Sequence, residues 1–285
     1  MMHGVASLPP LREVIREYDL SADKKLGQNF LLDTSITNRI AASAHITPET
    51  TVIEIGPGPG GLTRALLLAG TKHLLAIEKD TRCVAALQNI AHVADGALHI
   101  TEADALKADI LALIIQQGFP TQDVRIIANL PYNIATPLLF GWLEQLPHIH
   151  GMTLMFQREV AERIIAAPDT KANGRLSVMC QWLCTIRPVM QLKPHAFVPA
   201  PKVHSTVLEF IPRKEPLAPA PYSAMETVCR IAFGQRRKML RSSLKQLWDS
   251  PETLLKTLGI NPEARAETLT IPQFCTLARA LDPAK

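Results

Sequence analysis

The sequence predicts an α/β fold, a parallel sheet covered by helices on both faces, followed by a small all-helical domain. Three observations point there. From about residue 50 to residue 157, short apolar runs alternate with helical stretches, as in a chain that crosses over between parallel strands. A glycine-rich break, GPGPGG, follows the first apolar run. Beyond residue 212, after a proline-rich stretch, the pattern is helical only.

In order, residues 11–19 suit a short helix, and KKLGQNFLLD (24–33) turns from basic to apolar around Gly-Gln-Asn. Residues 35–45 suit a helix. TVIEI (51–55) is a short apolar strand, GPGPGG (56–61) breaks it, and LTRALLLA (62–69) restarts as a helix. HLLAI (73–77) is the second strand and closes on Glu78; TRCVAALQNIA is its helix. ALHITEAD (97–104) holds the third strand and closes on Asp104, and ILALIIQQ is helical. VRIIAN is the fourth strand and MTLMFQ (152–157) the fifth, while TIRPVMQL (185–192) and STVLEFI (205–211) also suit strands. Pro212, Pro216, Pro219 and Pro221 then give a linker composition. The boundary therefore falls at 212, with one domain over 1–212 and a helical one over 213–285 built from METVCRIAF, RKMLRSSLKQLW, PETLLKTLG and IPQFCTLARAL.

Composition narrows the class. With 285 residues and 47% hydrophobic content, the chain can bury a sizeable core and does not match a disordered class. The N-terminal MMHGVASLPPLREV lacks a basic stretch followed by an apolar run, and no apolar run is long enough to span a bilayer. A cytoplasmic protein with no membrane partner is expected. Five scattered cysteines argue against a disulfide framework. Cys180 and Cys184 lie four apart in LSVMCQWLC, but no second ligand pair accompanies them, so no metal is expected. Residues 213–285 carry 12 Lys and Arg against 7 Asp and Glu, whereas residues 1–212 carry 18 against 19. The positive excess sits in the last quarter, which suits a nucleic-acid or other acidic partner.

The glycine loop sits between a strand and a helix, where glycine lets the backbone turn tightly and approach a ligand closely. Gly56, Gly58 and Gly61 satisfy G-x-G-x-x-G, and Glu78 follows Gly56 by 22 residues, the place of an acid that grips ribose hydroxyls. This combination suits a nucleoside-containing cofactor and fits NAD or S-adenosylmethionine equally. Asp104, at the third strand's end, suits an acceptor for an exocyclic adenine amine, although alone it would serve as a helix cap. Gly56, Glu78, Asp104 and Asn129 fall at four successive strand ends, so they are expected to line one crevice.

ANLPYN (128–133) supplies what that crevice lacks. An adenine amine is a poor nucleophile because its lone pair is delocalised into the ring. Acceptors on both amine hydrogens favour a localised lone pair. The Asn129 side-chain oxygen and the carbonyl of Leu130 or Pro131 can supply two. Pro131 fixes the backbone, and Tyr132 can stack on an unstacked base.

Blocks spread from about Lys24 to Phe274 carry a family likeness: KKLGQNFLLD, VIEIGPGPGGLT, AIEKD, EADAL, ANLPYNIATPLL, FQREVAERI, GRLSV, FVPAPKVHS and FGQRRKMLRSSL. They resemble the ribosomal RNA adenine N6,N6-dimethyltransferases, in particular the bacterial small-subunit (16S) members. The resemblance implies a Rossmann-like class I methyltransferase domain with a small helical C-terminal domain. It implies S-adenosylmethionine contacts at Asn29, Leu31, Gly56, Glu78, Asp104 and Asn129. It implies a target-base group of Asn129, Leu130, Pro131 and Tyr132, with Phe197 as a second aromatic. The implied substrate is a pair of neighbouring adenosines near the 3′ end of 16S rRNA, each methylated twice, within a small-subunit precursor. The chain is expected to act as a monomer. Two positions depart from the family pattern: His204 stands where an acid is frequent after PKV, and Asn173 where a Tyr often precedes GRLSV.

Arg237, Arg241 and Lys245 are spaced by four, which would stripe one side of a helix as a phosphate-contacting ridge, and Lys24 and Lys25 would extend the RNA surface. Three other functions share parts of this pattern. An NAD-dependent dehydrogenase has the glycine loop but no use for NLPY. An RNA-binding assembly factor with an idle site would not need Glu78, Asp104 and NLPY intact. A large-subunit adenine methyltransferase of the macrolide-resistance type is nearer, but GPGPGG and QRRKMLRSSL favour the small-subunit group.

Overall fold

The computed structural model describes residues 2–20 and 28–282, so Lys24 and Lys25 lie outside the described residues. Helices α1 (Met2–Ala6) and α2 (Leu11–Glu17) precede a short strand β1 (Phe30–Leu31) and helix α3 (Thr34–Ser43). Strands and helices then alternate: β2 (Thr51–Ile55), α4 (Gly61–Leu68), β3 (His73–Glu78), α5 (Thr81–Val93), β4 (Leu98–Glu102), α6 (Ile110–Gln116), β5 (Val124–Asn129), α7 (Tyr132–Glu144) and β6 (Gly151–Gln157). Next come α8 (Arg158–Ile164), α9 (Arg175–Leu183), β7 (Cys184–Leu192), β8 (Phe197–Val198) and β9 (Ser205–Pro212). Four helices follow: α10 (Tyr222–Gly234), α11 (Leu240–Ser243), α12 (Pro251–Thr257) and α13 (Ile271–Leu281).

Seven strands form one sheet in the order β4-β3-β2-β5-β6-β9-β7, and β1 pairs with β8 apart from it. The pairs β4–β3, β3–β2, β2–β5 and β5–β6 are parallel, and β9 joins β6 antiparallel. The fold is α/β. All five residues of β2 are buried, because helices cover a parallel sheet on both faces. The core gathers Val52, Leu66, Leu74, Leu87 and Ile127, and burying each such side chain contributes about 1.5–3 kcal/mol. Aspartates start three of the helices: Asp33, Asp80 and Asp109 each accept a backbone N–H of the first turn of α3, α5 and α6. Strand order reverses between β2 and β5, and the crevice at such a point receives ligands in open α/β sheets.

The chain divides into two compact units, Met1–Arg158 with Arg187–Ile211, and Glu159–Ile186 with Pro212–Lys285. This corrects the boundary at 212, since residues 159–186 belong with the C-terminal helices. Packing explains the difference. Helix α9 buries Leu176, Val178, Met179, Cys180 and Trp182, and its neighbours include α10 and α13. Arg175 pairs with Glu226 at 2.7 Å, and Trp182 Nε1 donates to the Ala218 carbonyl at 2.8 Å. The prolines of 212–221 mark a change of composition without marking the start of the second unit.

The basic stripe is corrected too. Helix α10 ends at Gly234, residues 235–237 form a turn, and α11 starts afresh at Leu240. The Leu240 and Arg241 N–H groups donate to the carbonyls of Ala264 (2.8 Å) and Pro262 (3.0 Å), which prevents one continuous helix through this stretch. Arg237, Arg241 and Lys245 therefore share no helical face.

Candidate active site

The four strand ends converge as expected. Gly56, Glu78, Asp104 and Asn129 follow or close β2, β3, β4 and β5, four neighbours in the sheet, and all line a cavity of about 200 Å³. The glycine loop makes this possible. Gly58 has φ 56°, a left-handed conformation that L side chains rarely adopt. At Gly61 a Cβ would lie 2.7 Å from the Leu31 carbonyl oxygen, so only glycine allows β1 so close to α4.

Glu78 is 7% exposed and clamped by backbone. Its Oε2 accepts from Gly58 N (3.0 Å), and its Oε1 accepts from Lys79 N (2.7 Å) and Asp80 N (2.8 Å). Burial pushes its carboxyl up, and the three donors partly offset this. Asp104 has the opposite environment. Lys79 Nζ lies 2.9 Å from its Oδ2, Leu106 N donates to its Oδ1 at 3.1 Å, and these hold it below the usual carboxylate range. One acid is buried among backbone donors and the other stands beside a lysine.

Asn129 Nδ2 donates to the Asn29 carbonyl at 3.1 Å, which joins the β5 end to the segment before β1 and fixes the carboxamide's orientation. Its oxygen is then the acceptor of the group. The Pro131 carbonyl is used by α7, accepting from Ile134 N (3.1 Å) and Ala135 N (3.2 Å). Of the two carbonyls expected to assist, Leu130 is therefore the better placed. Tyr132 is half-buried, its hydroxyl 2.8 Å from Ser205 Oγ, and burial pushes its phenol up. Asn29, Leu31, Leu130, Pro131 and Tyr132 all line the same cavity.

Phe197 does not. It is 2% exposed, packs in the main core, and pairs in register with Leu31 across the β1–β8 ladder. The expected second aromatic is a core residue behind the wall rather than a ring in the cavity.

The sequence reading missed Glu54. It is 1% exposed, lines the cavity, and its Oε2 has no hydrogen-bond partner. Burial raises its carboxyl to about 8, Thr63 opposes the rise, and the charge of Glu78 adds to it. An acid inside the apolar run TVIEI was the available signal, because a buried carboxyl without a function is costly.

Residues 20–282 match the family model for ribosomal RNA adenine dimethylase. The chain belongs to the ribosomal RNA adenine dimethylase family. It is 53% identical over 277 residues to ribosomal RNA small subunit methyltransferase A of Rhodospirillum rubrum, covering 97% of this chain and 94% of that protein. A protein of the same name from Azorhizobium caulinodans is 50% identical, with 100% and 97% covered. Among solved structures, a dimethyladenosine transferase from Plasmodium falciparum superposes with a TM-score of 0.74 at 26% identity, covering 88% of this chain and 96% of that one. The 23S rRNA methyltransferase ErmE gives 0.64 at 26% identity, covering 89% and 100%.

The two departures from the dimethylase pattern have different settings. Asn173 is buried, its Nδ2 donates to the Glu267 carbonyl (2.9 Å) and its own carbonyl accepts from Arg236 (2.7 Å), so it ties the second unit together internally. His204 has an exposed side chain, while its carbonyl accepts from Arg158 N at 2.9 Å. Of the cations expected to contact RNA, Arg237 and Lys245 are exposed. Arg241 instead faces Glu263 at 3.5 Å and Glu252 at 3.8 Å. Cys180 and Cys184 are buried thiols whose burial pushes them up, to about 12 for Cys184. Among the described residues no three His, Cys, Asp or Glu side chains cluster as metal ligands, and no helix is long and apolar enough to cross a membrane.

Proposed function

We propose that this chain transfers methyl groups from S-adenosylmethionine to N6 of two adjacent adenosines near the 3′ end of 16S rRNA, within a small-subunit precursor, giving N6,N6-dimethyladenosine. The observation that carries the reading is the Asn129 carboxamide, anchored through Nδ2 beside a glycine-loop cavity so that its oxygen remains as an acceptor. The name shared by the relatives about half identical to this chain supports the small-subunit substrate over that of ErmE.

S-adenosylmethionine, when bound, supplies a methyl group already activated on a sulfonium. The chain's task is to position and to polarise. Glu78 suits the ribose hydroxyls and Asp104 the adenine amine, with Lys79 yielding part of its hold on Asp104. Glu54 suits the methionyl ammonium, because a buried carboxyl with an unpartnered oxygen gains most from a cation. Asn29, Leu31 and Gly56 complete the wall. The Asn129 oxygen and the Leu130 carbonyl accept the two hydrogens of the target amine, which localises the nitrogen lone pair. For each methyl it takes up, the nitrogen would give up one proton to water, and the sulfonium's S–CH3 bond would break to leave a neutral thioether. After the first transfer a single N–H remains, so one of the two acceptors suffices for the second. Tyr132 stacks on the base, its ring held by Ser205, and Pro131 keeps the turn rigid.

The test is to incubate small subunits lacking these methyl groups with labelled S-adenosylmethionine and to map the modified bases. Label on two neighbouring adenosines near the 3′ end is expected. Label in large-subunit RNA alone, or NAD binding without methyl transfer, would overturn the reading.

A further inference from the structure

A second, larger cavity of about 660 Å³ adjoins the first and shares Leu31 and Gly61 with it. Its apolar surface includes Val5, Leu8, Ile36, Leu68 and Val198, and Val198 is 46% exposed. Its charged side chains are two arginines and Asp33. Arg64 from α4 lines it, together with exposed Arg12 and His195.

Arg64 is the feature that asks for a ligand. Its Nη1 donates to the Pro9 carbonyl at 2.6 Å, which fixes the guanidinium, while its Nε is buried without a partner. Burial acts against its charge, and among the described residues no carboxylate lies within ion-pair distance of it. Asp33 lines the same cavity, but its Oδ1 already accepts from Ser35 N (2.9 Å) and Ser35 Oγ (2.6 Å). A guanidinium cannot shed its proton, so a fixed, half-buried one beside a cavity favours an anion with hydrogen-bond acceptors. The apolar surface beside it suits a flat, weakly polar body. A nucleotide offers both parts.

We propose that this cavity receives a nucleotide of the substrate RNA next to the target adenosine, with a phosphate on Arg64, Arg12 and His195 and the base against the apolar surface. The inference rests on the methyltransferase reading above. RNA is favoured over a free nucleotide because the cavity shares a wall with the one assigned to methyl transfer, as neighbouring positions on one strand require. Arg64 is then a substrate-positioning residue outside the methyl-transfer chemistry.

The test uses the full chain with Arg64→Met, which keeps the aliphatic stem, Arg64→Lys, which keeps the charge, and Arg12→Ala. Binding of unmethylated small subunits is measured across a salt series, and binding of S-adenosylmethionine is measured by calorimetry. Arg64→Met should weaken subunit binding roughly tenfold at low salt. It should also flatten the slope of log affinity against log salt by about 0.7–0.9. Arg64→Lys should restore most of both, and cofactor affinity should not move. Arg12→Ala should flatten the slope in the same sense, which keeps the proposal testable should Arg64→Met fold poorly for want of the Pro9 contact. Wild-type slopes in every variant that folds would overturn the proposal. So would protection of the wild type by AMP or inorganic phosphate with no change in subunit binding, which would mark a free-anion site. If the wild type methylates nothing, the parent reading falls by that result and not by these slopes.

Discussion

Replacing Glu54 with Gln tests the least expected residue of the glycine-loop cavity. The folded chain holds this carboxyl at about 8, against an ordinary value of 4.5. Between those pH values the folded state keeps a proton that the unfolded state has released. The stability linked to that proton is therefore complete below about pH 4.5 and drains away as pH rises to about 8. At about 1.4 kcal/mol per pH unit, the wild type should lose roughly 3–4 kcal/mol from this one group between pH 5 and pH 8. Glu54→Gln keeps the shape and removes the titration. Urea unfolding at pH 5, 6, 7 and 8 should give curves whose difference grows with pH in the variant's favour. If the difference between the two proteins is the same at every pH, Glu54 does not titrate as its surroundings require and the reasoning fails. The cofactor side of the test has the opposite sign. At neutral pH, binding a cation beside Glu54 should expel its proton from the wild type, seen as a buffer-dependent heat in calorimetry, and Glu54→Gln should bind more weakly and release none.

Glu78→Ala should weaken S-adenosylmethionine binding by roughly 1.5–3 kcal/mol by calorimetry, and because Gly58, Lys79 and Asp80 lose an acceptor, it should also lower the unfolding midpoint. Asn129→Ala should nearly abolish methyl transfer while small subunits still bind, since its oxygen matters most in the transition state; a normally active variant would remove it from the base clamp. Tyr132→Phe should methylate well while losing about 0.5–1.5 kcal/mol of stability with the Ser205 hydrogen bond, whereas Tyr132→Ala should lose about 1–3 kcal/mol of stacking, read from activity at saturating donor. In the second unit, Arg237→Ala and Lys245→Ala should each flatten the salt dependence of RNA binding by about 0.7–0.9, while Arg241→Ala, whose charge already meets Glu252 and Glu263, should change it less.

Much of the sheet was legible because buried parallel strands are written as short continuous apolar runs. TVIEI, HLLAI and VRIIAN sit where the sequence puts them, and the groups at their ends meet in one cavity. The two-residue strands β1 and β8 were invisible, since two residues carry no period, and with them went the reason Phe197 is buried. The fate of residues 159–186 was hidden for a different reason. Which unit a segment joins depends on contacts with residues far along the chain, and a local composition change such as the prolines of 212–221 does not report them. The basic spacing misled because a four-residue period promises a helix only while the backbone donors bond within it, and Leu240 and Arg241 bond to the 262–264 loop. Glu54 was in plain view, but a lone acid in an apolar strand declares its role only when its depth is known.

The second unit is assembled from two stretches of chain separated by Arg187–Ile211. During synthesis this sets a schedule. Helix α9 leaves the ribosome with Trp182 and its other apolar side chains, but α10 and α13, the helices that cover them, come later. The last of α13, Leu281, follows Ile186 by about 95 residues, a wait of roughly 5–20 s at bacterial-to-eukaryotic elongation rates of about 5–20 residues per second. When that interval begins, the nascent chain carries the parallel strands β2 to β6 and an uncovered helix, with β7 and β9 still to join the sheet. A gene cut at residue 212 would make that interval permanent, leaving an apolar helix that no later segment arrives to bury.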